Sequence, residues 1–307
     1  MRRPSLAILA ACATVLAPIG AAAAPAPAHA AAQGARLFAD SSLIVGARFS
    51  VEVVGQGPDL IFVPGLASSR ETWRAAAQRL RGRYRLHLVQ IAGFVGEPAR
   101  ANGAGPVLIP TAEALDAYIV DQKLAPAVVI GHSMGGTIAL YLAEHHPEHL
   151  KKVLLVDALP YFAVIMMGPG AKVETVRPIA ERIRTAPPMT GEAQDKLYAT
   201  LITGQAGRAR LSAWNAASDP AAVAGALADD LELDLRPDLA KATTPITVLY
   251  PDNVAIGMPP GAADGYYGAA FAALPNKTLR RVDNSLHFIM LDQPAAFAAA
   301  LDDFLKP

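Results

Sequence analysis

A chain of 307 residues is long enough for one large α/β domain with an insertion or for two modest domains. Its 27 basic residues balance 27 acidic ones and neither sign gathers in any segment, so no nucleic-acid partner and no anionic membrane surface is expected, and small neutral or apolar substrates fit better. Hydrophobic residues make up 52% of the chain, much of it alanine, with 6% aromatics, which is the composition of an ordinary globular core.

In chain order, residues 1–30 read as a targeting segment. Arg2 and Arg3 give the positive start, Leu6 to Ile19 the apolar stretch and Ala28-His29-Ala30 a small-x-small cleavage site, so the expected product is an exported protein, periplasmic or secreted, of residues 31–307. The single cysteine, Cys12, lies in that segment; cleavage after Ala30 leaves no thiol for a disulfide, a metal site or a nucleophile. Leu9-Ala10-Ala11-Cys12 resembles a lipoprotein cleavage box, although the apolar run continues past it. Later apolar runs are short, and none is expected to span a membrane.

After a linker at Ala31 to Asp40, strand-like runs occur at Ser42 to Val45, Phe49 to Val54, Leu60 to Val63, Leu86 to Val89, Ala127 to Ile130, Val153 to Val156, Ile246 to Tyr250 and Thr278 to Val282. From Leu60 on, most are continuous apolar runs, as expected of strands buried on both faces. Helical patterns at Glu71 to Leu80, Thr111 to Gln122 and Thr137 to His145 separate them, so the expected fold is a mostly parallel sheet with helices on both faces. Between Asp157 and Thr243 the alternation stops. Helices broken by Gly168-Pro169-Gly170, Pro187-Pro188 and Gly204 read as a helical cap, residues 158–243, over the sheet's carboxyl edge.

Gly131-His132-Ser133-Met134-Gly135 fits G-x-S-x-G, and it follows one buried strand and opens a helix. Such a turn strains its central residue and lifts the hydroxyl of Ser133 above the sheet, while the helix start directs N–H groups at developing negative charge. The plain alternative is a serine that only caps a helix. Where the order is serine, acid, histidine, the base comes late, and of seven histidines only His287 does; His132 reads as structural. The acid is expected at Asp252, after the strand Ile246 to Tyr250, with Asp157 at the end of Val153 to Val156 as its main rival and Asp283 and Asp264 further off. Backbone N–H groups of Met134 and Leu66 are the expected oxyanion donors. Tyr161, Phe162, Ile165, Met166 and Met167 form an apolar segment entering the cap; Tyr161, Phe162 and Met166 are candidate substrate contacts, or simply pack the cap on the sheet. Pro147 interrupts the helix that would align His145, His146 and His149, so these read as a helix end and no metal site is expected.

Pro64-Gly65-Leu66-Ala67-Ser68-Ser69 with Trp73 downstream, the elbow Gly131 to Gly136, Leu155-Val156-Asp157, and His287-Phe288 followed by Asp292-Gln293-Pro294 together resemble the α/β-hydrolase family over nearly all of the exported chain. The resemblance implies an eight-stranded sheet, a cap and a triad of Ser133, Asp252 and His287. Two differences stand out: Pro64-Gly65 where relatives often have His-Gly, and a compressed Tyr250-Pro251-Asp252-Asn253 where the acid usually follows Gly-x-x-Asp.

The expected chemistry is hydrolysis of a small carboxylic ester through an acyl-enzyme, without cofactor or metal. Serine at the elbow argues against the alkyl-enzyme chemistry of related dehalogenases and epoxide hydrolases. Amide, lactone or carbon–carbon bond hydrolysis by the same triad is the second reading, and a non-catalytic binder of apolar ligands the third. No pattern specifies an oligomeric state.

Overall fold

The computed structural model describes residues 36–252, 259 and 261–306. The segment expected to be a leader, with Cys12 and the expected cleavage site, lies outside the described residues. Eight strands form one sheet: β1 (Ser42–Val45), β2 (Phe49–Gly55), β3 (Asp59–Val63), β4 (Arg85–Ile91), β5 (Ala127–His132), β6 (Leu150–Val156), β7 (Ile246–Asp252) and β8 (Lys277–Asp283), in the order β1-β2-β4-β3-β5-β6-β7-β8. The β1–β2 and β2–β4 pairs are antiparallel and all others parallel. The eight apolar runs all form strands, most of them one to three residues longer than their apolar cores, because polar end residues still pair along the ladder.

The helices are α1 (Arg74–Leu80), α2 (Leu108–Asp121), α3 (Met134–His145), α4 (Val164–Met167), α5 (Val173–Thr185), α6 (Gly191–Leu201), α7 (Gln205–Ala216), α8 (Pro220–Glu232), α9 (Ala262–Ala270), α10 (Ile289–Asp292) and α11 (Pro294–Leu305). Helix α2 begins before Pro110, which is tolerated in a first turn because its missing N–H has no intrahelical partner there. Helix α3 is buried from Met134 to Glu144 and packs between the sheet, α2 and the 3-10 turn Arg236–Lys241. Two apolar cores lie on the two faces of the sheet, one around Ile61, Val129, Leu155 and Val248 and the other around Phe62, Ile130, Leu154 and Leu249, which explains why these strands show no polar alternation.

Helices α4 to α8 all lie between β6 and β7. Backbone hydrogen bonds tie this insertion to loops at the carboxyl ends of strands: Asp219 N to Gly93 O at 2.7 Å, Gly96 N to Ala217 O at 2.8 Å and Phe288 N to Leu201 O at 3.2 Å. No helix among the described residues is long and apolar enough to cross a membrane.

Candidate active site

Strand β5 ends at His132 and α3 begins at Met134, so the whole turn is made at Ser133, with φ 53° and ψ −126°. A non-glycine residue at such a φ is strained and persists only where its surroundings enforce it. Here they do. A Cβ on Gly131 would lie 2.2 Å from Gly135 O, and one on Gly135 2.4 Å from Val63 O, so both flanking positions exclude any larger residue. The Ser133 hydroxyl does not cap the helix, and Ser133 N instead donates to Val156 O at 3.0 Å. The side chain is therefore left free above the sheet, only half-buried.

The loop after β3 lies against this elbow. A Cβ on Gly65 would come within 3.0 Å of the Ser133 Cβ and 3.1 Å of His132 Nδ1, a closeness only glycine permits, and it brings the Leu66 backbone beside the serine. A buried network fixes the loop from beneath: Gln90 Nε2 donates to Ser68 O and to Phe94 O, both at 3.1 Å, and Gln90 Oε1 accepts from Arg70 N at 2.9 Å. Arg70, itself buried, reaches Ser50 Oγ at 2.5 Å and lies 3.6 Å from buried Glu52. Met134 is the first residue of α3, so its N–H has no intrahelical acceptor. Met134 thus directly follows Ser133, and Leu66 follows Gly65, the residue that abuts it.

His287 follows β8 and is seated on the elbow by His132. His132 Nε2 donates to His287 O at 3.0 Å, and the two rings lie 4.5 Å apart. Full burial, and then the neighbouring His287, hold the His132 imidazole well below its ordinary pKa; it is a neutral donor packed against Trp73 and Phe288.

The carboxylate on His287 is Asp157, not Asp252. His287 Nδ1 donates to Asp157 Oδ2 at 2.6 Å, which leaves Nε2 as the ring nitrogen able to accept a proton. Asp157 directly follows Val156, takes φ 46°, a conformation aspartate tolerates better than most residues, and is anchored by its N–H to Leu249 O at 2.8 Å. Asp252 is displaced because β7 does not stop at Tyr250. The strand continues through Pro251 to Asp252, opposite Asp283 of β8, three residues or roughly 10 Å beyond Leu249, the partner of Val156. There Asp252 Oδ2 accepts from Gly261 N at 3.0 Å and lies 3.8 Å from Arg281 Nε. Asp264 and Asp283 are likewise engaged by Arg281, each at 2.7 Å.

Tyr267 of α9 completes the acid's surroundings, its hydroxyl donating to Asp157 Oδ1. Burial, then the Asp157 charge and this hydrogen bond, push the Tyr267 phenol well above its ordinary pKa, so it stays a donor. Its ring stacks 4.4 Å from Tyr250, whose hydroxyl bonds Asp264 Oδ1 at 2.9 Å. Neither Tyr267 nor Asp230 stands out in the sequence: one is an aromatic in an alanine- and glycine-rich stretch, the other one of several acids in α8. Asp230 is buried, and desolvation raises its carboxyl pKa to about 7; Thr137 opposes that rise, Asp229 adds to it, and His287 opposes it.

Among the residues expected to touch substrate, Tyr161 is fully enclosed beneath the Arg236 guanidinium, 4.5 Å from its ring, and serves as packing. Phe162 and Met166 are half-buried and pack against the core on the α3 side.

This sheet order, the strained serine turn and the late histidine on a strand-end carboxylate define an α/β hydrolase, and the sequence profile of the Alpha/beta hydrolase family matches residues 60–300; the chain belongs to that family. It is 38% identical over 121 residues to the pimeloyl-[acyl-carrier protein] methyl ester esterase of Aeromonas salmonicida, covering 39% of this chain and 46% of that protein, so it spans about half the length of that relative. Its similarity to the enzyme of the same name from Nitrosomonas europaea is 26% over 264 residues, covering 83% of this chain and 99% of the relative. A hydrolase from Pseudomonas aeruginosa shares the fold with a TM-score of 0.69 at 19% identity, over 88% of this chain and 99% of that one; the enol-lactonase of Burkholderia xenovorans does so at 0.66 and 18%, over 84% and 96%.

Proposed function

We propose that this protein is a serine hydrolase that cleaves carboxylic esters, with Ser133 as nucleophile, His287 as general base and Asp157 as the acid that orients it. The observation that carries this reading is the 2.6 Å bond from His287 Nδ1 to Asp157, made by a histidine seated on a strained serine elbow. A proton held on Nδ1 by this bond leaves Nε2 bare, as the nitrogen that can act as base toward the serine. Nε2 takes the Oγ proton as Oγ bonds to the ester carbonyl carbon, the Leu66 and Met134 N–H groups hold the oxyanion, and the alcohol leaves with the proton from the imidazolium. Water, deprotonated by the same nitrogen, then releases the carboxylic acid and restores Ser133. The helical insertion acts as the cap that encloses the acyl group.

Ester is preferred over amide because an alkoxide leaves with little help, and relatives named for a methyl ester support a short alcohol on an acyl chain. The order of charge, apolar run and small residues in the first thirty positions supports export, which mass spectrometry of the protein from its native host tests by the loss of those residues. For the reaction, a fluorophosphonate should label the chain once, at Ser133, and abolish turnover of p-nitrophenyl esters; Ser133→Ala should neither label nor turn over. Turnover within about tenfold of wild type in a folded Ser133→Ala protein refutes the reading, since tenfold is only about 1.4 kcal/mol.

A further inference from the structure

The second cluster of chemistry-bearing side chains lies at the other end of the parallel strands, where α3 ends and β6 begins. Glu113 and Asp116, one turn apart on α2, face the end of α3. Pro147 rules out a ligand pair along a single helix, but it also breaks α3 so that the 3-10 turn Pro147–His149 brings His149 back toward α2 beside His146. The two imidazole planes are parallel to within 2°, with centroids 6.0 Å apart. Asp116 sits between their Nδ1 atoms, Oδ1 at 2.7 Å from His149 and Oδ2 at 3.6 Å from His146. One ligand atom from each of the three residues falls within 4.8 Å of the others.

The hydrogen bonding makes this more than a chance grouping. His146 Nε2 faces Glu113 Oε2 at 3.2 Å, and the other oxygen of Glu113 accepts from Tyr141 at 2.7 Å. With Nε2 turned to Glu113, His146 directs its Nδ1 at the Asp116 carboxylate, 3.6 Å away, and the two atoms converge as a pair of ligands to one cation would. A carboxylate behind a ligating imidazole is also how metal-binding histidines are commonly oriented.

We propose that Asp116, His146 and His149 bind a divalent transition cation of the zinc type, through one carboxylate oxygen and two Nδ1 atoms, with Glu113 orienting His146 and a fourth position open to water. Two imidazoles and one carboxylate suit Zn2+, Ni2+ or Cu2+ rather than the all-oxygen preference of Mg2+ or Ca2+. The side chains are 13%, 24% and 27% exposed, so an ion can enter without unfolding. The site joins α2 to the corner between α3 and β6, away from Ser133 at the carboxyl end of β5. Its role is to brace the fold rather than to take part in hydrolysis.

Calorimetric titration of Zn2+ into the full, untagged, chelator-stripped chain tests this. One equivalent should bind with a dissociation constant in the micromolar range or below. His146→Ala and His149→Ala should each weaken binding at least thirtyfold and Glu113→Gln about tenfold, while His145→Ala, whose ring stacks on Tyr141, should leave it unchanged. Co2+ in the wild type should give the intense visible bands of a tetrahedral nitrogen- and oxygen-ligated ion, a readout that needs no variant to fold. Zinc should raise the melting temperature of wild type but not of His149→Ala, and its removal should leave ester turnover unchanged. A dissociation constant above about 100 µM, or affinities in both histidine variants within threefold of wild type, overturns the proposal.

Discussion

The carboxyl ends of β6 and β7 lie side by side and each carries an aspartate, yet the two carboxylates live in different company. Asp157 receives His287 on one oxygen and Tyr267 on the other, in a turn that leaves the sheet at once. Asp252 is still in the ladder, bonded to a backbone N–H and near an arginine that also serves two other carboxylates. What separates the two strand-end carboxylates is therefore where the strand lets go: Asp157 turns out of the sheet one residue past Val156, whereas Asp252 stays paired to β8, two residues or roughly 7 Å further along.

The largest effect that bears on this comparison is the coupling between His287 and each acid. If His287 and Asp157 work as a unit, Asp157→Ala should add little once His287→Ala has removed turnover, whereas each alone should cost several powers of ten in kcat. Asp252→Ala should instead act independently of His287. Full additivity of His287→Ala with Asp157→Ala in a double-mutant cycle on an activated ester would break the assignment.

A third carboxylate sharpens the contrast through pH. Asp230 keeps its proton in the folded protein up to about pH 7, whereas the unfolded chain releases it near 3.8, so it binds more protons folded than unfolded in that interval. Stability should fall as pH rises from about 4 to about 7 and level off above. Asp230→Asn should remove that slope and, at pH 8, stabilise the protein by on the order of 3 kcal/mol relative to its difference at pH 4. Denaturant melts of both proteins at the two pH values measure it; an unchanged slope would mean that Asp230 is not a buried neutral acid.

Smaller again is the effect of Tyr267, whose hydroxyl hydrogen-bonds Asp157 rather than His287. Tyr267→Phe should lower kcat about tenfold with KM nearly unchanged, and should shift the pH at which activity is half-maximal, because the carboxylate behind the imidazole loses a donor. A loss confined to KM or to melting temperature would make Tyr267 a packing residue only.

Which parts of this arrangement the sequence reveals follows from the range of the forces involved. The buried strands are legible because a strand covered on both faces must be apolar throughout, and Ser133 because Gly131 and Gly135 are demanded by contacts within a few residues or with the adjacent strand. His287 is legible by elimination along the chain. The choice between Asp157 and Asp252 turns on how far β7 stays paired with β8, which Pro251 disguises, and Tyr267 reaches Asp157 across 110 residues with no local mark. Asp116 meets His149 from 33 residues away, through the proline break that makes the histidines look unaligned.

The most direct test is kcat for Asp157→Asn and Asp252→Asn on the same p-nitrophenyl ester, with both variants shown to be folded. Asparagine keeps the shape of either site but can no longer hold the imidazole proton on Nδ1. The Asp157–His287 pairing predicts a fall of roughly a thousandfold to ten-thousandfold for Asp157→Asn and a change within about threefold for Asp252→Asn. Near-wild-type turnover in Asp157→Asn with a collapse in Asp252→Asn would contradict it.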